Sequence, residues 1–154
     1  MRNELLSHEF FMKKAYNQAL LAYEIGEVPV GAVLVDGDNN IIAEGFNQTI
    51  TLKDPTAHAE TLVLRDAAKR LDNYRLLNTK LYVTLEPCIM CIGALIQARV
   101  GNLFFGCNDS RVGILSKEKL HKNKDINHNL NVVGGIMSQQ CGELLKNFFR
   151  ERRK

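Results

Sequence analysis

The chain has 154 residues, enough to bury a substantial core in one domain spanning 1–154, and its 45% hydrophobic and 24% charged content is that of a globular protein. Met1 to Phe10 carries Arg2, Glu4, His8 and Glu9 in place of a secretory apolar run, and no stretch approaches the roughly 18 apolar residues of a membrane span, so a cytoplasmic address and no membrane partner are expected. A net charge of +3 does not by itself point to nucleic acid, and four cysteines in a cytosolic chain argue against a disulfide framework.

Taken in order, Ser7 to about Ile25 reads as a helix with Ser7 as its cap, because Phe11, Ala15, Ala19 and Ala22 recur at helical spacing and Gly26 ends the pattern. Val30–Val35 and Ile41–Phe46 are short apolar runs on either side of the turn cluster Asp36-Gly37-Asp38-Asn39-Asn40, which predicts a hairpin. Asp54-Pro55-Thr56 signals a helix start, with the helix running from about Ala57 to Leu71. Lys80–Leu85 reads as a strand, Pro87 opens a helix reaching Arg99, and Asn102–Gly106 is another strand. The polar stretch from Cys107 to Asn129 is expected to be loop with a short helix, followed by a last strand at Leu130–Val133 and a helix over Ser138–Arg152. This order predicts an α/β fold, a mixed sheet with helices packed over it, in which ligands lie beyond the carboxyl ends of strands.

Two segments carry the chemistry: His58-Ala59-Glu60 and, about one strand later, Pro87-Cys88-Ile89-Met90-Cys91. Two thiolates three residues apart at a helix start can turn toward one metal ion, where unpaired N–H groups and the helix dipole favour the thiolate. An imidazole from another segment adds a third bond and leaves one tetrahedral position for water, which zinc brings to a pKa of about 7. Glu60 is then free to carry protons, although on a regular helix positions two apart diverge by about 200°, so His58 and Glu60 can border one cavity only at the first turn. His-x-Glu followed by Pro-Cys-x-x-Cys is the signature of the zinc-dependent nucleobase deaminases. Three other readings stand beside this one: a structural zinc site completed by Cys107 or Cys141, a Cys-x-x-Cys redox pair, and a chance core histidine. The basic tail Arg150-Glu151-Arg152-Arg153-Lys154 and the cluster Lys117, Lys119, Lys122, Lys124 read as solvated charge unless they flank a site.

Longer strings narrow the resemblance. Ser7-His8-Glu9, Glu27-Val28-Pro29-Val30-Gly31-Ala32-Val33, Asp54 through Glu60, Asn73-Tyr74-Arg75-Leu76, Leu81 through Cys88 and Phe148-Phe149-Arg150 resemble the bacterial tRNA adenosine deaminases of the TadA type over nearly the whole chain. The resemblance implies a three-layer cytidine-deaminase-like fold, with a mixed five-stranded sheet and helices on both faces. It implies hydrolysis of adenosine to inosine at the wobble position of a tRNA anticodon, usually an arginine tRNA, by a homodimer with one Zn2+ per subunit. It also implies that His58, Cys88 and Cys91 hold zinc and that Glu60 shuttles protons. Asn47 would bond the adenine ring, Ala59 and Leu85 border the substrate, and Asp109 accept from the ribose 2′-hydroxyl, a mark of RNA. Asn127, His128, Phe148, Phe149 and Arg150 would meet the anticodon loop, where aromatics stack bases and cations pair with phosphates. Of the two adjacent phenylalanines, one is expected in the core and one facing RNA. Ser110-Arg111-Val112-Gly113-Ile114-Leu115 is bulkier than the small-residue run of the family, and the loop through Asp125 is richer in lysine. A deaminase of a free base or nucleotide, of guanine or cytidine type, is the enzymatic alternative, and a non-catalytic zinc-stabilised RNA-binding module the other.

Overall fold

A computed structural model describes residues 2–111 and 113–153, with side chains from Ser7 onward. Val112, in the bulky segment after Asp109, lies outside the described residues. The element order is α1 (Arg2–Glu24), β1 (Gly31–Asp36), β2 (Ile41–Phe46), α2 (Ala59–Leu71), β3 (Thr79–Leu85), α3 (Ile89–Gln97) and β4 (Asn102–Cys107), then a 3-10 turn at Leu120–Lys122, β5 (Asn131–Val133) and α4 (Ser138–Arg152). The five strands form one sheet in the order β2-β1-β3-β4-β5. The β1–β2 and β1–β3 pairs are antiparallel, and the β3–β4 and β4–β5 pairs are parallel.

Both sheet faces are covered, so the central strands are apolar without alternation. Ala32, Leu34, Leu81, Val83, Leu103 and Phe105 point to one face and pack with Ala59, Val63 and Ala67 of α2 and Ile92 and Leu95 of α3. Val33, Val35, Tyr82 and Phe104 point to the other and pack under Phe11, Met12 and Ala15 of α1. Tyr82 stacks on Phe104 with centroids 4.8 Å apart, and its hydroxyl meets His8 Nδ1 at 2.7 Å, so the buried phenol is not left without a partner. The alanine stripe of α1 allows very close packing on β1. A Cβ at Gly31 would collide with the Ala15 carbonyl and the Ala19 amide, so only glycine fits there.

Three helix starts differ from the sequence expectation. Helix α1 begins at Arg2, so Ser7 lies inside it and caps nothing. Helix α2 begins at Ala59 instead of Ala57, because Asp54 Oδ1 accepts from the Thr56 amide and hydroxyl (2.8 and 2.7 Å), a local turn that competes with helix. Thr61 in α2 reaches back to the His58 carbonyl at 3.0 Å and keeps that segment against the helix end. Helix α3 begins at Ile89, so Cys88 sits at its cap and only Cys91 in its first turn. No described helix is long and apolar enough to cross a membrane.

Candidate active site

Strand direction collects one end of the sheet into a site. The carboxyl ends of β2, β3 and β4 and the amino end of β1 lie together, since Gly31 pairs with Phe46 and Leu85 with Cys107. The Gly31 amide also donates to Thr84 Oγ1 at 3.1 Å. Helices α2 and α3 follow β2 and β3, so both begin at this end.

His58 and Cys88 occupy equivalent positions, each a helix cap with extended backbone (φ −76°, ψ 156° and φ −77°, ψ 174°) and no side-chain bond to its own helix. An ordinary cap side chain bonds the helix amides; these two turn toward each other. His58 Nδ1 lies 3.6 Å from Cys88 Sγ and 3.4 Å from Cys91 Sγ, and the three donor atoms all lie within 4.8 Å of one another. Zinc bonds of about 2.3 Å to sulfur and about 2.1 Å to nitrogen, at tetrahedral angles, put such donors about 3.6 Å apart. The donor set and its spacing therefore fit zinc. Among the described residues no fourth His, Cys, Asp or Glu joins the group. Cys107 Sγ instead meets the Thr84 carbonyl at 3.6 Å, and Cys141 is buried against Gly106. A closed structural site needs four protein ligands, so the three-ligand set separates the catalytic reading from the structural one.

Proton competition marks the same cluster. Hydrogen bonding from Cys91, with a further bond to His58, pulls the Cys88 thiol down to about 4, against the cost of burial. The same bond, with burial, pushes Cys91 up, and the bond to Cys88 raises His58. Groups that share protons this closely release them to a divalent cation. Burial also pushes the Glu60 carboxyl up, opposed by its own backbone N–H and the His58 charge. Glu60 is 4% exposed in the first turn of α2, and the charges of His58 and Cys88 both act on its carboxyl, so it lies close to the cluster. The 200° difficulty disappears because His58 precedes the helix and is not governed by its periodicity.

A groove of about 740 Å³ opens at the same sheet end, lined by Val28, Leu85 and Asp109 on one side and by α4 on the other; Leu85, three residues before Cys88, links it to the cluster. Asn47, 7% exposed, lies behind the lining residue Val28, its side-chain amide donating to the Val28 carbonyl at 3.4 Å. Asp109 is half-buried, its Oδ1 accepting the Arg111 amide at 3.0 Å. Ala59 is fully buried at the start of α2. Helix α4 divides the aromatic pair. Phe148, 6% exposed, packs edge-on to Tyr23 with Arg152 over its ring at 4.7 Å, whereas Phe149, 38% exposed, lines the groove with Lys146, Arg150 and Arg153. Arg152 is held by the Gly26 carbonyl, so it clamps α4 to the end of α1.

Asn127 and His128 lie elsewhere. His128 Nε2 bonds the Val100 carbonyl at 2.7 Å, and the Asn127 carbonyl accepts from Arg99 at 3.4 Å. Val100 precedes β4, so these residues sit at the strand's amino end, roughly 20 Å from Cys107 at about 3.3 Å per residue. They line a separate cavity of about 1050 Å³ with Lys119, His121 and Lys122.

Sequence reasoning assigned no role to Glu27, Glu86, Arg111, Lys146 or Arg153. Glu27 and Glu86 are 1% and 2% exposed. Glu27 accepts the amides of Ile50 and Thr51 at 3.2 and 2.6 Å, and so fixes the loop that follows Asn47. A carboxylate set against the apolar run Leu81–Leu85 and the Pro-Cys motif was the available signal for Glu86. The groove-facing positions Ser138, Gly142, Leu145, Lys146, Phe149 and Arg153 recur at helical spacing, opposite the buried Cys141, Leu144 and Phe148.

Residues 6–107 match the family model for the cytidine and deoxycytidylate deaminase zinc-binding region. Over 147 residues the chain is 47% identical to a tRNA-specific adenosine deaminase of Haemophilus influenzae, covering 95% of this chain and 85% of the relative. A solved tRNA:A34 deaminase, from work on A-to-I editing at the wobble position of transfer RNA, superposes with TM-score 0.84 at 40% identity, over 88% of this chain and 99% of that one. A guanine deaminase from Bacillus subtilis superposes with TM-score 0.65 at 32% identity, over 96% and 94% of the two chains.

Proposed function

Because the chain belongs to the zinc-dependent cytidine and deoxycytidylate deaminase family, we propose that it deaminates adenosine to inosine at the wobble position of a tRNA anticodon, an arginine tRNA in the first instance. The observation that carries this reading is that one sheet end holds two things: a His-Cys-Cys cluster with a buried acid, and a basic groove presenting Phe149. The first suits hydrolytic deamination, and the second suits a single-stranded loop whose bases stack and whose phosphates pair with cations. A loop nucleotide enters such a pocket cheaply because it has little pairing to lose.

His58, Cys88 and Cys91 would hold zinc, which when bound makes water acidic enough to act as a nucleophile near neutral pH. Glu60 takes a proton from the attacking water and delivers it to adenine N1. As the C6–N bond breaks, Glu60 takes the proton of the new C6 hydroxyl and passes it to the departing amine, so that the C6 carbonyl forms and ammonia leaves. A carboxyl raised by burial suits both directions of transfer, since its pKa lies nearer the working pH. Asn47 bonds the ring from the floor of the pocket, Leu85 and Ala59 border it, and Asp109 accepts from the 2′-hydroxyl. Phe149 stacks a neighbouring base, while Arg150 and Lys146 neutralise phosphates. Phe148 acts indirectly by seating α4. Asn127 and His128 would reach tRNA only outside this groove. The working enzyme is a cytoplasmic homodimer in this reading, and 1–154 is one deaminase domain.

The guanine deaminase similarity favours one second reading, a free-base deaminase. One assay separates the two: incubation with a panel of purified tRNAs, free nucleosides and free bases, with inosine and ammonia measured. Inosine appearing in a tRNA, with free guanine untouched, supports the proposal; ammonia from guanine alone would overturn it.

A further inference from the structure

Glu86 is a buried carboxylate without a cation. It is 2% exposed, and among the described residues no ion pair reaches it. Its oxygens are satisfied by one loop. Oε1 accepts the Asp109 amide at 3.0 Å, and Oε2 accepts the amides of Leu115 and Ser116, both at 3.0 Å. The Ser116 hydroxyl adds a bond at 3.1 Å, and Glu86 itself is fixed by its amide bond to the Cys107 carbonyl at 2.9 Å. Charge-assisted hydrogen bonds are about twice as strong as neutral ones, and a buried anion depends on keeping every one of them. The carboxylate therefore fastens both ends of the Asp109–Ser116 loop at one point. That point lies two residues before Cys88, on the chain that forms the donor cluster.

From this we infer that Glu86 is the positioning residue for Asp109: it registers the ribose-contacting carboxylate against the metal cluster, and so sets discrimination between RNA and DNA. The inference rests on reading Asp109 as the ribose contact. The physical basis is that a half-buried Asp109, free of the anchor at its amide, would be carried by a loop between Cys107 and Leu115 with many accessible conformations. A contact to a 2′-hydroxyl tolerates little displacement, whereas the base, held by Asn47 and the cluster, does not depend on that loop.

The test uses the full chain loaded with zinc and two anticodon stem-loops that differ only in a ribose or 2′-deoxyribose at the target adenosine. Glu86→Gln keeps the shape, removes the charge and aims an amide donor at amide donors. It is expected to retain one zinc per chain and to raise KM for the ribose substrate about tenfold with kcat little changed. The 2′-deoxy substrate should keep its rate, so the ribose-to-deoxyribose ratio in kcat/KM collapses toward that of Asp109→Asn. Adding Asp109→Asn to Glu86→Gln should change the ratio no further, since the two act through one contact. Ser116→Ala, which removes one hydroxyl and leaves the charge held by three amides, should move the ratio the same way by less, and it reads the inference even where Glu86→Gln fails to fold. Equal losses on both substrates with zinc retained, or an unchanged ratio in Ser116→Ala and Glu86→Gln, would overturn the anchoring role. An unchanged ratio in Asp109→Asn overturns the ribose contact itself and the inference with it.

Discussion

Two cavities flank β4, and they differ in kind. One, of about 1050 Å³, is lined by Lys119, His121, Asn127 and His128 together with apolar Leu130 and Val132, and its His128 is committed to the Val100 carbonyl at the strand's amino end. At the carboxyl end the groove is smaller, about 740 Å³, but three metal donors and a buried acid share that sheet end. Volume alone would choose the wrong end. The difference arises because α2 and α3 both begin at the carboxyl end, where backbone amides and helix dipoles favour thiolates and anions.

The comparison can be broken by substitution at either end. The largest effect is expected from Cys88→Ser, which removes one of three donors: zinc content and activity should both disappear, and stability should fall with them. Full zinc occupancy measured by atomic absorption would mean that the donors lie elsewhere. Glu60→Ala should keep its zinc and lose about 10²–10⁴-fold in turnover, the usual cost of a positioned acid–base group. A near-normal rate in single-turnover assays would remove Glu60 from the mechanism. Exchanging Lys146 and Arg150 for Ala should weaken tRNA binding and lower the salt slope by about 0.7 for each phosphate no longer neutralised. If filter-binding titrations at several salt concentrations give an unchanged slope, RNA does not follow α4.

The remaining effects concern stability. Burial raises the Glu27 carboxyl, but hydrogen bonds from Thr51, Ile50 and Thr49 together outweigh it and hold the carboxyl below its ordinary value. Its contribution is complete above the unfolded carboxylate pKa of about 4.3 and is lost as pH falls through the lower folded value. Glu27→Gln should therefore flatten the acid limb of stability in urea titrations, and curves that overlay the parent protein would show that the carboxylate contributes nothing. Smallest of all, His128→Ala removes one half-buried hydrogen bond at the amino end, costing about 1 kcal/mol. Activity on the anticodon stem-loop should stay within about threefold, less than 1 kcal/mol of transition-state stabilisation; a hundredfold loss would move part of the site to the other end of β4.

Much of this was legible in the linear chain. The hairpin, α4 and the order of strands and helices follow from apolar runs and turn residues, and the His-x-Glu and Pro-Cys-x-x-Cys segments carried the chemistry into one reading. Helix starts were less legible, since Asp54 and Thr56 hold the backbone in a local turn ahead of His58, a competition that periodicity does not register. The fate of Phe148 and Phe149 could not be read either, because adjacent helical positions both look apolar until a partner such as Tyr23 chooses one.

By itself, then, the sequence determined the donor types, their spacing and the alternation of elements, because these depend on side-chain chemistry and local backbone preference. Only the tertiary structure decided that His58 and Cys88 are free caps facing one another, that Asn127 and His128 sit at the far end of a strand, and that Glu86 holds the Asp109 loop. Each of these depends on contacts between residues roughly 20 to 30 positions apart in the chain, and such contacts exist only once the sheet has set the direction of its strands.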